Sequence, residues 1–152
     1  MHYPAHLPID IASFIIPVLP HALLLPNVVV EEILVQPPHV HAAQAGRLIW
    51  RGYQIPVVSY AHLLNEAVSI SATPRRSHIM IIHGLMDYDP PYFALLIQQL
   101  PKLVWVTEQE LSELTEETLR PTESLLVTFN HQTLAIPNLP YIEKRVTELN
   151  RP

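Results

Sequence analysis

Apolar residues in this chain come in short runs of four to eight, rich in Val, Ile, Leu and aromatics and bounded by Pro, Asn or Gly. That pattern predicts short β-strands rather than helices. Ten are expected: Ser13–Leu19, Ala22–Leu25, Val28–Val35, Arg47–Trp50, Gln54–Val58, His78–Ile82, Tyr92–Gln98, Leu103–Val106, Leu125–Phe129 and Thr133–Ile136. The last two flank Asn130-His131, a hairpin signal, since Asn tolerates the positive φ of a tight turn. Helix signals are local. Ser59–Glu66 reads as a short helix. Thr107-Glu108-Gln109-Glu110 is a capping box that predicts a helical acidic segment to about Thr118, although only Leu111 and Leu114 give it apolar contacts. Near the C-terminus Pro140 suits a first helical turn, and Ile142, Val146 and Leu149 fall on one face. Ser71–Ser77 is polar, holds Pro74 and two arginines, and reads as a loop between two halves.

The stretch Ile11–Val30 carries no formal charge and is long enough to cross a bilayer as a helix. Pro17, Pro20 and Pro26 argue against that, because each removes a helical hydrogen bond that lipid cannot replace. Met1–Asp10 has no Lys or Arg and makes a poor signal-peptide start. Strands broken at prolines are the better reading, and many such strands suggest small barrels.

Composition narrows the chemistry. At 152 residues the chain is close to one average domain. Hydrophobic residues make up 49%, charged residues only 15%, and there are 16 prolines but three glycines. With no cysteine, disulfides, thiolate metal sites and cysteine nucleophiles are excluded. Three glycines cannot spell a Walker loop or a G-x-G-x-x-G turn. A net charge of −5, with no basic cluster beyond Arg75-Arg76, does not point to nucleic acid.

Nine histidines raise a metal reading, whose best local candidate is His39-Val40-His41, since i and i+2 on a strand share a face. No acid follows until Glu66, so a polar loop is favoured. No serine sits in a nucleophile elbow. Asp87-Tyr88-Asp89-Pro90-Pro91 offers two carboxylates, but reads first as a solvated turn.

The densest signal is Gly46-Arg47-Leu48-Ile49-Trp50-Arg51-Gly52-Tyr53-Gln54-Ile55-Pro56-Val57-Val58-Ser59-Tyr60-Ala61-His62-Leu63-Leu64. Physically it is a strand, a turn at Arg51-Gly52, a second strand and a short helix. It resembles the signature of CheW-like domains, found in bacterial chemosensory adaptors, which runs roughly G-h-x-x-h-R-G-x-h-h-P-V-h-D-L with h apolar. Val30-Glu31-Glu32-Ile33-Leu34 is similar to the family's V-x-E-V/I motif. Leu103–Thr107 resembles a later strand and turn, and Leu125–Val146 the closing hairpin and terminal helix. Two positions depart: Ser59 and Pro137-Asn138 stand where the family usually has aspartate, and the Thr107–Thr122 segment is longer and more acidic. These departures look closer to the short ChpC-like accessory adaptors of type IV pilus chemosensory systems than to the flagellar adaptor.

The resemblance implies an all-β fold over 1–152, with two small, packed and intertwined five-stranded SH3-like β-barrels and short helices, one at the C-terminus. It implies a cytoplasmic scaffold without catalysis or cofactor, tying the regulatory domain of a CheA-type histidine kinase to chemoreceptor tips. Other CheW-like proteins are further candidate partners, and recruitment to membrane arrays runs through partners, without direct insertion. By motif, Glu32, Arg51 and Gly52, with Val30, Ile33 and Val57, are the expected partner-binding residues. Glu32 and Arg51 either pair or line a surface between the barrels. Ile49 is a further apolar neighbour, and period-2 alternation requires that some of these apolar residues face the core. The competing reading is a small barrel enzyme or ligand binder that uses histidines and a metal.

Overall fold

The computed structural model describes residues 10–35, 45–64 and 78–150. All ten expected strands are present. They are β1 (Ile11–Ile16), β2 (Ala22–Pro26), β3 (Val30–Val35), β4 (Ala45–Trp50), β5 (Tyr53–Ser59), β6 (His78–His83), β7 (Tyr92–Ile97), β8 (Lys102–Val106), β10 (Glu123–Phe129) and β11 (Gln132–Pro137). An eleventh, β9 (Ser112–Leu114), was not expected. Prolines set several ends: β1 stops before Pro17, and a 3-10 turn over Asn27–Val29 follows Pro26.

The strands form two sheets. One has the order β8-β1-β2-β11-β10-β9, the other β3-β6-β7-β5-β4. The first therefore joins the N-terminal hairpin to the C-terminal strands, with β2 parallel to β11. Everything between belongs to the second, where β5 runs parallel to β7. The first sheet holds six strands rather than the expected five, because β9 adds to β10 with Leu114 opposite Leu126.

That extra strand corrects the helix expected from Thr107 to Thr118. Thr107 does start a turn, its N–H donating to Glu110 at 2.9 Å, but the turn is a single 3-10 element over Glu108–Glu110. A helix here would have no continuous apolar stripe, and helices draw most of their stability from such a face. As a strand, the segment instead gains a ladder, while Leu111 and Leu114 pack on separate apolar clusters.

Side chains alternate between two destinations, which explains why the strands read as continuous apolar runs. In β6, Ile79 and Ile81 fill a cluster inside the five-stranded sheet, while Met80 and Ile82 join a core shared with the other sheet. In β2, Leu23 and Leu25 reach the shared core and Leu24 the cluster inside the six-stranded sheet. In β10 and β11, Leu126 and Ala135 face the shared core, with Val127 and Leu134 inside. Each sheet thus buries one face against itself and the other against its neighbour, so both parities are hydrophobic.

Two helices close the shared core. α1 (Tyr60–Leu63) is capped by Ser59, whose Oγ accepts the His62 N–H at 3.3 Å. Of the expected Ser59–Glu66 helix, 65–66 lie outside the described residues. α2 (Leu139–Leu149) is capped by Asn138, whose Oδ1 accepts the Tyr141 N–H at 3.2 Å, and has Pro140 in its first turn. Ile142 and Val146 are fully buried, and Leu149 packs against the same core. Both departures from the family pattern are thus helix caps, where Ser, Asn and Asp serve about equally. Tyr60 and Thr122, hydrogen-bonded at 3.0 Å, tie the two sheets' connections together.

Candidate functional site

The β4–β5 hairpin turns on two residues, Arg51 and Gly52, with Trp50 opposite Tyr53. Their φ values are +47° and +81°. Positive φ at both central positions is the turn geometry that matches strand twist, and glycine is favoured there because it has no Cβ. The turn projects Arg51 out of the sheet. Its guanidinium lies over the Trp50 ring, with Cζ 4.5 Å from the centroid, and an Nη2 stands 3.6 Å from Glu32 Oε1. The same carboxylate oxygen accepts the Trp50 indole N–H at 2.8 Å. Glu32 is therefore fixed by an indole and shares its charge with an exposed arginine.

A bulge brings in the neighbouring carboxylate. The β3–β6 register shifts between Val30 and Glu32, so Glu31 is the extra residue. In a regular strand Glu31 and Glu32 would point to opposite faces; the bulge re-aims them. Glu31 Oε1 meets His83 Nδ1 at 3.3 Å. The Tyr92 ring sits amid these groups, with centroids 5.0 Å from Trp50, 5.2 Å from Tyr53 and 5.2 Å from His83. The result is an aromatic cluster at one end of the five-stranded sheet, edged by two carboxylates, a guanidinium and an imidazole.

Glu32, Arg51 and Gly52 are thus brought together. Val30 and Ile33 lie half-buried against the shared core, and Val57 is buried inside its own sheet. Ile49 is 78% exposed on the edge strand β4. Sequence reasoning passed over Trp50, Tyr92, His83 and Glu31 as site residues. Trp50 and Glu31 stood inside the quoted motifs, though Glu31 needed the bulge to be re-aimed; Tyr92 and His83 needed strand register.

Among the described residues the remaining candidates assemble no chemistry. Asp87 and Asp89 are exposed in the β6–β7 connection. Among the described residues no three His, Asp or Glu side chains group as metal ligands, and His39 and His41 lie outside those residues. A cleft of about 180 Å³ between the β4–β5 hairpin and α2 is lined by Arg47, Tyr88 and Asp89 among others; the Arg47 guanidinium donates to the Asn150 carbonyl at 2.7 Å. Among the described residues no helix is long and apolar enough to cross a membrane.

Comparison with known proteins gives one family: the model for the CheW-like domain matches residues 15–144. Among solved structures the chain is similar to the crystal structure of the scaffolding protein TtCheW from Thermoanaerobacter tengcongensis. The two are 14% identical, with a TM-score of 0.65 over 86% of this chain and 90% of that one. No curated protein matches.

Proposed function

The chain belongs to the CheW-like domain family, and from that membership we propose that it is a chemosensory signalling adaptor. In this reading it couples chemoreceptors to a CheA-type histidine kinase in the cytoplasm, making and breaking no bonds. The observation that carries the reading is the Glu32–Trp50–Arg51 cluster. It lies on the family's signature residues, and its guanidinium is left 61% exposed. A buried ion pair would read as structure; an arginine laid over its own tryptophan and left facing solvent reads as recognition.

The kinase's regulatory domain is the partner assigned to this end of the sheet, with Glu32, Arg51 and Gly52 as contacts and Val30 and Ile33 beside them. Val57 supports the hairpin from inside. The output assigned is pilus-linked, on the longer and more acidic Thr107–Thr122 segment. The test is a pull-down from native cells with the tagged chain. Recovery of a CheA-type kinase, reduced by Arg51→Asn, is the expected result; absence of the kinase from the wild-type capture overturns the reading.

A further inference from the structure

One buried charge has no part in the adaptor cluster. Glu143, on α2, is 2% exposed. Its Oε1 accepts the backbone N–H of both Leu85 and Met86, each at 2.8 Å. A buried carboxylate carries a desolvation penalty of several kcal/mol unless hydrogen bonds offset it, and here two main-chain donors do so. Gly84 makes room for the arrangement, since a Cβ at that position would overlap the Glu143 carboxylate. The Gly84 N–H donates to the Pro91 carbonyl at 2.8 Å, closing the base of the β6–β7 connection. A surface loop is therefore pinned at its start by a helix from the far end of the chain.

What the latch holds in place is apolar and wet. Leu85 is 61% exposed and Met86 40% exposed, and the exposed Asp87 and Asp89 follow. Folding gains little hydrophobic free energy from side chains left in water. A partner gains from them, because a contact ordered in advance loses less entropy on binding. The position is continuous with the cluster described above: His83, next to Gly84, touches both Glu31 and Tyr92. Along this edge Glu31, Glu32, Asp87 and Asp89 outnumber Arg51 and Arg47, the latter lining one cleft with Asp89, so the surface fits an apolar patch rimmed by lysine or arginine.

We infer that Leu85 and Met86 form a preset apolar contact for a basic-rimmed patch on the kinase, and that Glu143 is the positioning residue that holds them. This rests on the adaptor reading. The test measures binding of the purified full chain to the CheA-type kinase of the same cell, beside hydrogen exchange at the Leu85 and Met86 amides. Leu85→Asp and Met86→Asp should each weaken binding tenfold or more while the melting temperature holds. Glu143→Gln keeps an oxygen for both N–H groups and should bind like wild type. Glu143→Ala should speed exchange at both amides and weaken binding severalfold; if that variant does not fold, the Leu85 and Met86 variants decide the matter. Binding within twofold of wild type for Leu85→Asp and Met86→Asp, with Arg51→Asn still impaired, overturns this inference and leaves the adaptor reading standing. Equal exchange in Glu143→Ala and Glu143→Gln removes the latch. Failure of the wild-type chain to bind the kinase overturns the adaptor reading, and this inference with it.

Discussion

Arg51 lies over the side chain of the residue before it, its Cζ 4.5 Å from the Trp50 ring centroid. The pose is set by the turn and by the indole, so Glu32 at 3.6 Å is a secondary partner rather than the anchor. An exposed ion pair contributes about 0–1 kcal/mol and an exposed cation–π contact about 0.5–1 kcal/mol. The cluster is thus weak as a stabilising device, and its value lies in holding a charge ready.

The first prediction follows from that weakness. Arg51→Asn keeps a residue that tolerates positive φ, and should change unfolding free energy by under about 1 kcal/mol. Kinase binding should fall far more than stability does. Trp50→Phe keeps an aromatic ring against Tyr92 but removes the donor to Glu32, and should cost about 1 kcal/mol. Chemical denaturation alongside binding separates the two effects; a loss of stability in Arg51→Asn matching its loss of binding would make the arginine structural.

The three glycines should rank by what surrounds them. A Cβ at Gly46 meets nothing within 4 Å, and Gly46→Ala should be neutral or slightly stabilising. Gly52 is equally open but sits at φ +81°, so Gly52→Ala should cost about 1–2 kcal/mol through backbone strain alone. At Gly84 the new methyl runs into the Glu143 carboxylate. Gly84→Ala should therefore be relieved by Glu143→Ala in a double-mutant cycle, whereas Gly52→Ala should be indifferent to it. Additive effects at residues 84 and 143 would contradict the packing described.

Much of this fold was readable because proline punctuates it so heavily. β1, β2, β7, β8 and β11 each begin or end at or beside a proline, and Asn130-His131 forms its turn with φ of +47° and +63°. The fate of individual side chains was not readable, because both strand parities are apolar when each sheet buries two faces. Nothing in Ile-Met-Ile-Ile of β6 says which residues meet the other sheet. The β9 segment failed for another reason: a capping box is a local signal, and pairing with Leu126 lies outside any local window. In the site, Glu32 and Arg51 came from motif, while Tyr92 and His83 were visible only after the β6–β7 register placed them opposite one another.

Tyr60 gives an alkaline prediction. Its hydroxyl is held above the usual tyrosine range, first by burial and then by Glu123, with the Thr122 hydrogen bond and Arg120 acting in the other direction. Below the unfolded-chain value near 10, Tyr60 is protonated in both states and adds no pH dependence. Above it the unfolded chain releases a proton that the folded chain keeps, so stability falls with rising pH until the folded value is reached. The limiting slope is about 1.4 kcal/mol per pH unit. Tyr60→Phe should cost about 1 kcal/mol at neutral pH and flatten the fall between wild type and variant above pH 10. Parallel stability curves for the two proteins up to pH 11 would show that Tyr60 ionises freely.

The alternation within the hairpin makes the last prediction, because Ile49 and Val57 belong to the same signature and face opposite ways. Ile49 is 78% exposed on an edge strand; Val57 is 7% exposed inside the sheet. Ile49→Thr keeps a β-branched residue and should leave stability within about 0.5 kcal/mol, while weakening kinase binding through lost apolar contact beside Arg51. Val57→Ala removes buried methyl groups and should cost about 2 kcal/mol or more. Its binding loss should then be recovered at lower temperature, where the folded fraction returns. Thermal melts and titrations at two temperatures check both arms. A temperature-independent binding defect in Val57→Ala, with Ile49→Thr unimpaired, would mean that the partner reads the inner face of the hairpin instead of the outer one.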